Sequence, residues 1–321
     1  MFEPERVKEW MLDCDSQFTV ARSAIAHYEN ELGFGALREA ISDEEMAPEE
    51  ILSRMSDFFT LEKFRAMMER ERVTFTSGSV HVSPFSPIEG AYFTGMVVLQ
   101  TKRAISLVMA IDPHDLAIKK RRKPGKLGTI GFSGTLSLTK ILKGTRLTVR
   151  PWTVEPFDDA CDLVANPPKA EALPEVHYRE GESFWRNPTE ETEFLAADGP
   201  VLLVQSQMLT GPMPVSLEYD VDTLKLLKAA AVSPEPTRLQ MLSTITRLFD
   251  RQDGFETVSA LLEYPQHFVR WHAMRELLAL DSERALPLLL AMMESDPQPS
   301  VRRAAQATVA TFFPDALDKA A

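Results

Sequence analysis

A spacing of 32 residues, kept twice, constrains this chain more than any other feature. Arg238, Arg270 and Arg302 recur at that interval, and each opens a helix-period run of apolar residues. Leu239, Leu242, Ile245 and Leu248 follow the first; Ala273, Met274, Leu277, Leu278 and Leu280 the second; Ala304, Ala305, Val309 and Phe312 the third. Second helices fit between them, over about Phe255 to Tyr264 and Ala285 to Glu294. Ser295-Asp296-Pro297-Gln298-Pro299 then breaks the chain before the next helix. A helix pair repeating at this period cannot bury its apolar face alone, so the pairs must stack into an α-helical solenoid.

The texture differs upstream. Residues 4 to 32 and about 36 to 71 carry apolar residues at helical spacing, interrupted by Gly33-Phe34-Gly35. Pro48, Glu49 and Glu50 sit where a helix's first turn favours them. From Arg72 onward come short β-type runs. They are Val73 to Thr76, Gly95 to Leu99, Ile105 to Met109, Gly134 to Leu138, Arg146 to Val149, Val201 to Val204 and Val215 to Tyr219. Turn residues separate them, which predicts an antiparallel sandwich or barrel. Asn166 to Pro174 reads as a surface loop, and Leu224 to Ala231 as a helix leading into the repeats. The chain is therefore read as an α+β multidomain protein: a helical N-terminal segment (1–71), a β-rich domain (72–222) and helical repeats (223–321).

Phe268-Val269-Arg270-Trp271-His272-Ala273 and Ser300-Val301-Arg302-Arg303-Ala304-Ala305 resemble the x-V-R-x-x-A core of HEAT repeats, with a proline-containing turn before each arginine. The first copy has Thr237 where the valine belongs, as suits an atypical terminal repeat. The resemblance covers about 80 residues and implies a protein-binding surface or a cap on the neighbouring domain. Gly144-Thr145-Arg146-Leu147-Thr148-Val149-Arg150-Pro151-Trp152, with the later stretch from His177 to Leu203, resembles a cupin-type jelly roll over about 130 residues. The cupin metal motif has two histidines one residue apart and then a glutamate. Here Val80-His81-Val82-Ser83 and His177-Tyr178-Arg179 each carry a single histidine.

Charge is divided sharply along the chain. Lys102 to Arg150 holds twelve Lys or Arg against Asp112 and Asp115, while Glu155 to Asp222 holds three basic residues against fifteen acidic. The centre of the basic stretch is Lys119-Lys120-Arg121-Arg122-Lys123-Pro124-Gly125-Lys126. Such a run either is solvated, pairs with the chain's own acidic segments, or takes an anionic ligand. The net charge of −12 and the lack of interleaved aromatics weigh against nucleic acid. Gly125, Gly128, Gly131 and Gly134 form no phosphate-loop pattern and read as a hairpin or bulged strand. Cys14 and Cys161 have no zinc-site spacing and read as buried free thiols. Phe184 and Trp185, in Ser183 to Thr189, read as core. With no apolar run long enough for a membrane span and an acidic N-terminus, the chain reads as cytoplasmic.

These features favour a non-catalytic binding or scaffold protein without a cofactor, with a protein as partner and a homo-oligomer compatible. Lys119, Lys120, Arg121, Arg122 and Lys123 would make a polar contact, and Arg270, Arg302 and Arg303 a protein contact from exposed positions on the repeat helices. The array arginines have a structural alternative, bonding to neighbouring turns and maintaining the stack. His272 likewise reads as packing or inter-repeat hydrogen bonding. One functional alternative is a metal-dependent cupin-like oxygenase or isomerase, in which His81, His114 and His177 hold a divalent metal such as iron. Another is an anion- or nucleic-acid-associated regulator acting through residues 119–126.

Overall fold

Left-handed backbone at Gly33 (φ 78°) separates the first helix from the second, and proline with two glutamates starts the third. The computed structural model describes residues 13–76, 83–120, 128–232 and 234–318. Its first helices are α1 (Cys14–Asn30), α2 (Phe34–Ala40), α3 (Pro48–Phe58) and α4 (Leu61–Thr76). The β-type reading of Val73 to Thr76 is overturned, because these residues end α4. Thr74 and Thr76 donate their hydroxyls to the carbonyls of Arg70 and Arg72, four residues back, which lets β-branched side chains finish a helix.

The chain groups into two compact units. The first comprises residues 1–128, 135–153 and 172–211; the second comprises 129–134, 154–171 and 212–321. In the first, β1 (Ser86–Glu89), β2 (Phe93–Gln100), β3 (Ala104–Ile111), β11 (Val201–Met208), β5 (Ser137–Lys143) and β9 (Ser183–Arg186) form an antiparallel sheet in the order β1-β2-β3-β11-β5-β9. Both faces of this sheet are buried. Ala104, Val108, Leu138, Leu142, Val204 and Met208 pack with Ile51, Leu52, Met55 and Phe59 of the helical segment. Met109, Ile111, Ile141, Val201 and Leu203 face the other way, toward Leu147 and Val149. Alternate residues of one strand thus enter two different cores, as the period of a strand requires. Leu147 and Val149 belong to β6 (Arg146–Val154), which pairs with β8 (Val176–Arg179) and β10 (Glu190–Ala197) in a second antiparallel sheet. Leu116, from the short helix α5 (Pro113–Lys120), joins the same core. The layers are helices, large sheet and small sheet; no closed barrel forms among the described residues.

The second unit contains β4 (Thr129–Phe132), β12 (Val215–Asp220) and β13 (Leu226–Ala231) in one sheet, followed by the helical repeats. β13 corrects the helix expected over Leu224 to Ala231. Helix-favouring Leu and Ala residues there are claimed by an antiparallel ladder from Val215↔Ala231 to Tyr219↔Leu226. The buried Asp220 side chain accepts from the amides of Asp222 and Thr223 and closes the hairpin. Gly131 lies in β4 opposite Glu218, and Gly134 (φ 74°) turns the chain where an added Cβ would crowd Met213 and Val232. β7 (Ala170–Ala172) occupies part of the expected loop.

The repeats are α6 (Pro234–Leu248), α7 (Phe255–Ser259) continued by a 3₁₀ turn (Ala260–Glu263), α8 (His267–Leu280), α9 (Ser282–Ser295), α10 (Pro299–Phe312) and α11 (Pro314–Asp318). Phe255, Val258, Ala273, Leu277 and Ala285 form one layer of their core; Met274, Leu289, Met292, Val301, Ala305 and Val309 form the next.

Candidate protein-interaction surface

The repeated arginines do the same job twice. Arg270 donates to the carbonyls of Tyr264 (3.0 Å) and Pro265 (2.8 Å), six and five residues back. Arg302 donates to those of Asp296 (2.5 Å) and Pro297 (3.2 Å), at the same offsets. Each guanidinium therefore ties its helix to the turn before it. Arg270 goes further, closing two bonds to the Asp296 carboxylate at 2.7 and 2.8 Å, with only 7% of the residue exposed. The expectation that Arg270 offers an exposed contact is overturned: burial and four bonds commit it to the stack. Arg302 is half-buried in its turn, and only Arg303 stands open, paired with Asp162.

Asp162 belongs to a segment that the array's turns hold by its backbone. Gln298, 1% exposed, donates its side-chain amide to the carbonyls of Asp159 (2.6 Å) and Cys161 (2.9 Å). Burial pushes the Asp162 carboxyl up, but the bond from Arg303 and the amides of Ala165 and Val164 outweigh it and hold the carboxyl below its usual value. Cys161 is free and half-buried rather than buried. A cavity of about 520 Å³ opens beside this segment, lined by Asp159, Tyr264, Arg270, Met292 and Gln298 among others. The bonds just described already occupy its guanidinium and amide groups.

A second concavity has different chemistry. Phe268, Trp271, His272 and Arg275 fall at helical spacing along one face of α8. With Gln240 of α6 and Val301 and Ala304 of α10 they line a groove of about 330 Å³. His272 Nε2 lies 3.0 Å from the Gln240 carbonyl and 2.9 Å from Thr244 Oγ1, and Glu276 accepts from Thr244 and Arg247. This polar network ties α6 to α8 beside the groove, the inter-repeat bonding read for His272. Arg275 is exposed, and Trp271 is partly buried against the array core. The arginine frame is legible in the sequence; the stripe has a readable i, i+3, i+4, i+7 spacing, but only the packing of α6 and α10 beside α8 makes it a groove.

In the first unit, the residues proposed for metal do not converge among the described residues. His114 is exposed in the first turn of α5, and His177 is exposed on β8 with Nδ1 3.1 Å from Thr148 Oγ1. His81 lies outside the described residues. Among the described residues, no group of three or more His, Cys, Asp or Glu could hold a metal ion. Of the basic run, Arg121, Arg122 and Lys123 lie outside the described residues, as do the side chains of Lys119 and Lys120 at the end of α5. Downstream the basic stretch meets the chain's own acids: Lys143 pairs with Glu180, Arg146 with Asp198 and Arg150 with Glu175.

Arg186 and Glu191 form a largely buried ion pair in this unit. Desolvation raises the Glu191 carboxyl, with Arg186 opposing. Burial, with Glu191 and Glu193 nearby, pushes the Tyr92 phenol up to about 12. In β9, which carries Arg186, Phe184 enters the core as expected but Trp185 is 42% exposed, on the opposite face.

Residues 223–310 match the family model for HEAT repeats. That match takes in β13 and the array as far as most of α10 and does not extend to the first unit. No curated protein matches this chain. Among solved structures, KdgF from Halomonas sp. is similar at 8% identity, over 39% of this chain and 84% of that one, with a TM-score of 0.25. A cupin domain from Bordetella pertussis is similar at 10% identity over 38% and 97%, with a TM-score of 0.22. A sugar phosphate isomerase of a cupin superfamily from Silicibacter pomeroyi is similar at 9% over 43% and 75%, with a TM-score of 0.24. No described helix is long and apolar enough to cross a membrane.

Proposed function

We propose that this protein is a non-catalytic scaffold, in which a β-rich domain is joined to a HEAT-like array that docks a protein partner in the groove along α8. The observation that carries this reading is the composition of that groove. Aromatic side chains bring large contact area at little rotamer cost and arginine brings charge-assisted bonds, so both anchor protein interfaces. Phe268, Trp271 and Arg275 bring that chemistry to one concave face. Repeat arrays characteristically bind through such faces, since stacking presents equivalent positions of successive helices side by side. The partner is an extended or helical segment bearing a carboxylate for Arg275 and an apolar side chain for Trp271.

The test is affinity capture on the full chain, comparing the native sequence with Arg275→Glu, Trp271→Ala and a control, Glu294→Ala, on the exposed part of α9. A partner retained by the native and control proteins should lose at least tenfold in affinity with Arg275→Glu, about 1.4 kcal/mol. Arg275 is exposed, so that variant leaves the fold intact. If neither groove substitution changes what is captured, the groove is not the docking site.

A further inference from the structure

Helix α6 is amphipathic in the wrong direction for a helix that only caps an array. Its buried residues are Pro236 and Ser243, whereas Met241, Leu242, Ile245, Leu248 and the adjoining Phe249 are 39–73% exposed. Their spacing of i, i+1, i+4, i+7 and i+8 makes one continuous stripe on the side of the helix away from Pro236 and Ser243. Terminal helices of solenoids ordinarily carry a polar outer face, because nothing stacks on them. An apolar stripe in that position marks a contact surface.

We propose that this stripe is where a second copy of the chain packs, with the two α6 helices antiparallel about a two-fold axis near Ile245. The charges favour a second copy over an unrelated partner. Arg238 lies on the stripe, seven residues before Ile245 and four before Leu242, and is exposed. Asp250, also exposed, lies five residues after Ile245, where its left-handed backbone (φ 48°) ends the helix. At 1.5 Å per helical residue Arg238 stands about 10 Å from the axis, and Asp250 lies just past the helix end on the other side. Antiparallel pairing therefore sets Arg238 of each copy opposite Asp250 of the other and opposes the helix dipoles.

The area also suits a dimer. Five large apolar side chains exposed to this degree present on the order of 500 Å². A standard interface hides about 800 Å² per partner, and homodimer interfaces are about 65% apolar. The stripe and its polar margin match those values. It shares no residue with the α8 groove, so failure of one proposal leaves the other standing.

The experiment is sedimentation equilibrium of the full-length protein from about 1 to 100 µM, so that association is read from its concentration dependence. The native chain should sediment at twice the chain mass at the upper end. Ile245→Glu with Leu248→Glu should return it to monomer. Arg238→Asp alone and Asp250→Arg alone should each weaken association at least tenfold. The doubly reversed protein, carrying both substitutions, should recover association, because the exchange restores both contacts across a two-fold axis. Circular dichroism of each variant reports folding, and recovery in the double variant is itself a folding control. A native chain monomeric throughout overturns the proposal. So does a dimer indifferent to the Ile245 and Leu248 substitutions, or charge reversals that do not rescue each other.

Discussion

Arg270 and Asp296 illustrate how much of this array rests on single side chains. A guanidinium can be buried only if its donors are engaged, and here Asp296 takes two of them while the carbonyls of Tyr264 and Pro265 take others. The same carboxylate accepts from the Gln298 backbone N–H at 2.8 Å. Asp296→Ala would strand a buried positive charge and an amide together. Loss of one partner of a buried pair costs about 3–5 kcal/mol, and we expect a loss of that size in urea unfolding. Arg302→Ala, which removes carbonyl bonds from a half-buried position, should cost nearer 1 kcal/mol. Equal effects from the two substitutions would mean that Arg270 is no more buried than Arg302.

Among the elements, the hairpin of β12 and β13 shows where sequence reading stops and why. Leu226 to Ala231 favours a helix by intrinsic preference, and only the ladder from Val215 makes it a strand. That partner lies within the same hairpin, yet no turn dipeptide such as Asn-Gly announces it; the turn is built from the Asp220 carboxylate instead. Val73 to Thr76 fails the opposite way, its β-branched residues absorbed into α4 by bonds four residues back. By contrast α3, with Pro48 and two glutamates, and the array, with its 32-residue register, were readable because their signals are local or repeated. The candidate groove needs α6, α8 and α10 side by side, which spacing within one helix cannot express. Leu224 tests the hairpin directly, because it sits in the left-handed region at φ 55° with its side chain 45% exposed. Leu224→Gly should stabilise by about 0.5–1 kcal/mol through relief of that strain. Leu224→Val, with a branched Cβ at positive φ, should destabilise. Thermal unfolding of the two variants decides, and the same sign for both would show that φ is not the controlling factor.

At the scale of the whole molecule, what most needs explaining is how residues far apart in the chain are bound into the second unit. Gln298, in the turn between α9 and α10, holds the carbonyls of Asp159 and Cys161, 139 and 137 residues away in sequence. Arg303 holds Asp162 beside them. The Tyr219 hydroxyl donates to the Pro168 carbonyl at 2.6 Å, and burial first, then Cys161 and Glu155, pushes that phenol up to about 12. Three side chains from three places thus fix one backbone segment, and its thiol reports the result. Burial, followed by the charges of Asp158 and Asp162, raises the Cys161 thiol above its usual value, which leaves little thiolate at neutral pH. Gln298→Ala would leave two carbonyls without their donor, a cost of about 1–3 kcal/mol if they stay buried. The segment should instead open to water, lifting part of the burial that suppresses the thiolate. In a Cys14→Ser background, alkylation of Cys161 near pH 7.5 should be slow in the otherwise native protein and at least several-fold faster in the Gln298→Ala variant. Global unfolding in urea should shift much less than in Asp296→Ala, because Arg270 keeps its carboxylate. An unchanged alkylation rate would mean that Arg303 and Tyr219 hold the segment without Gln298.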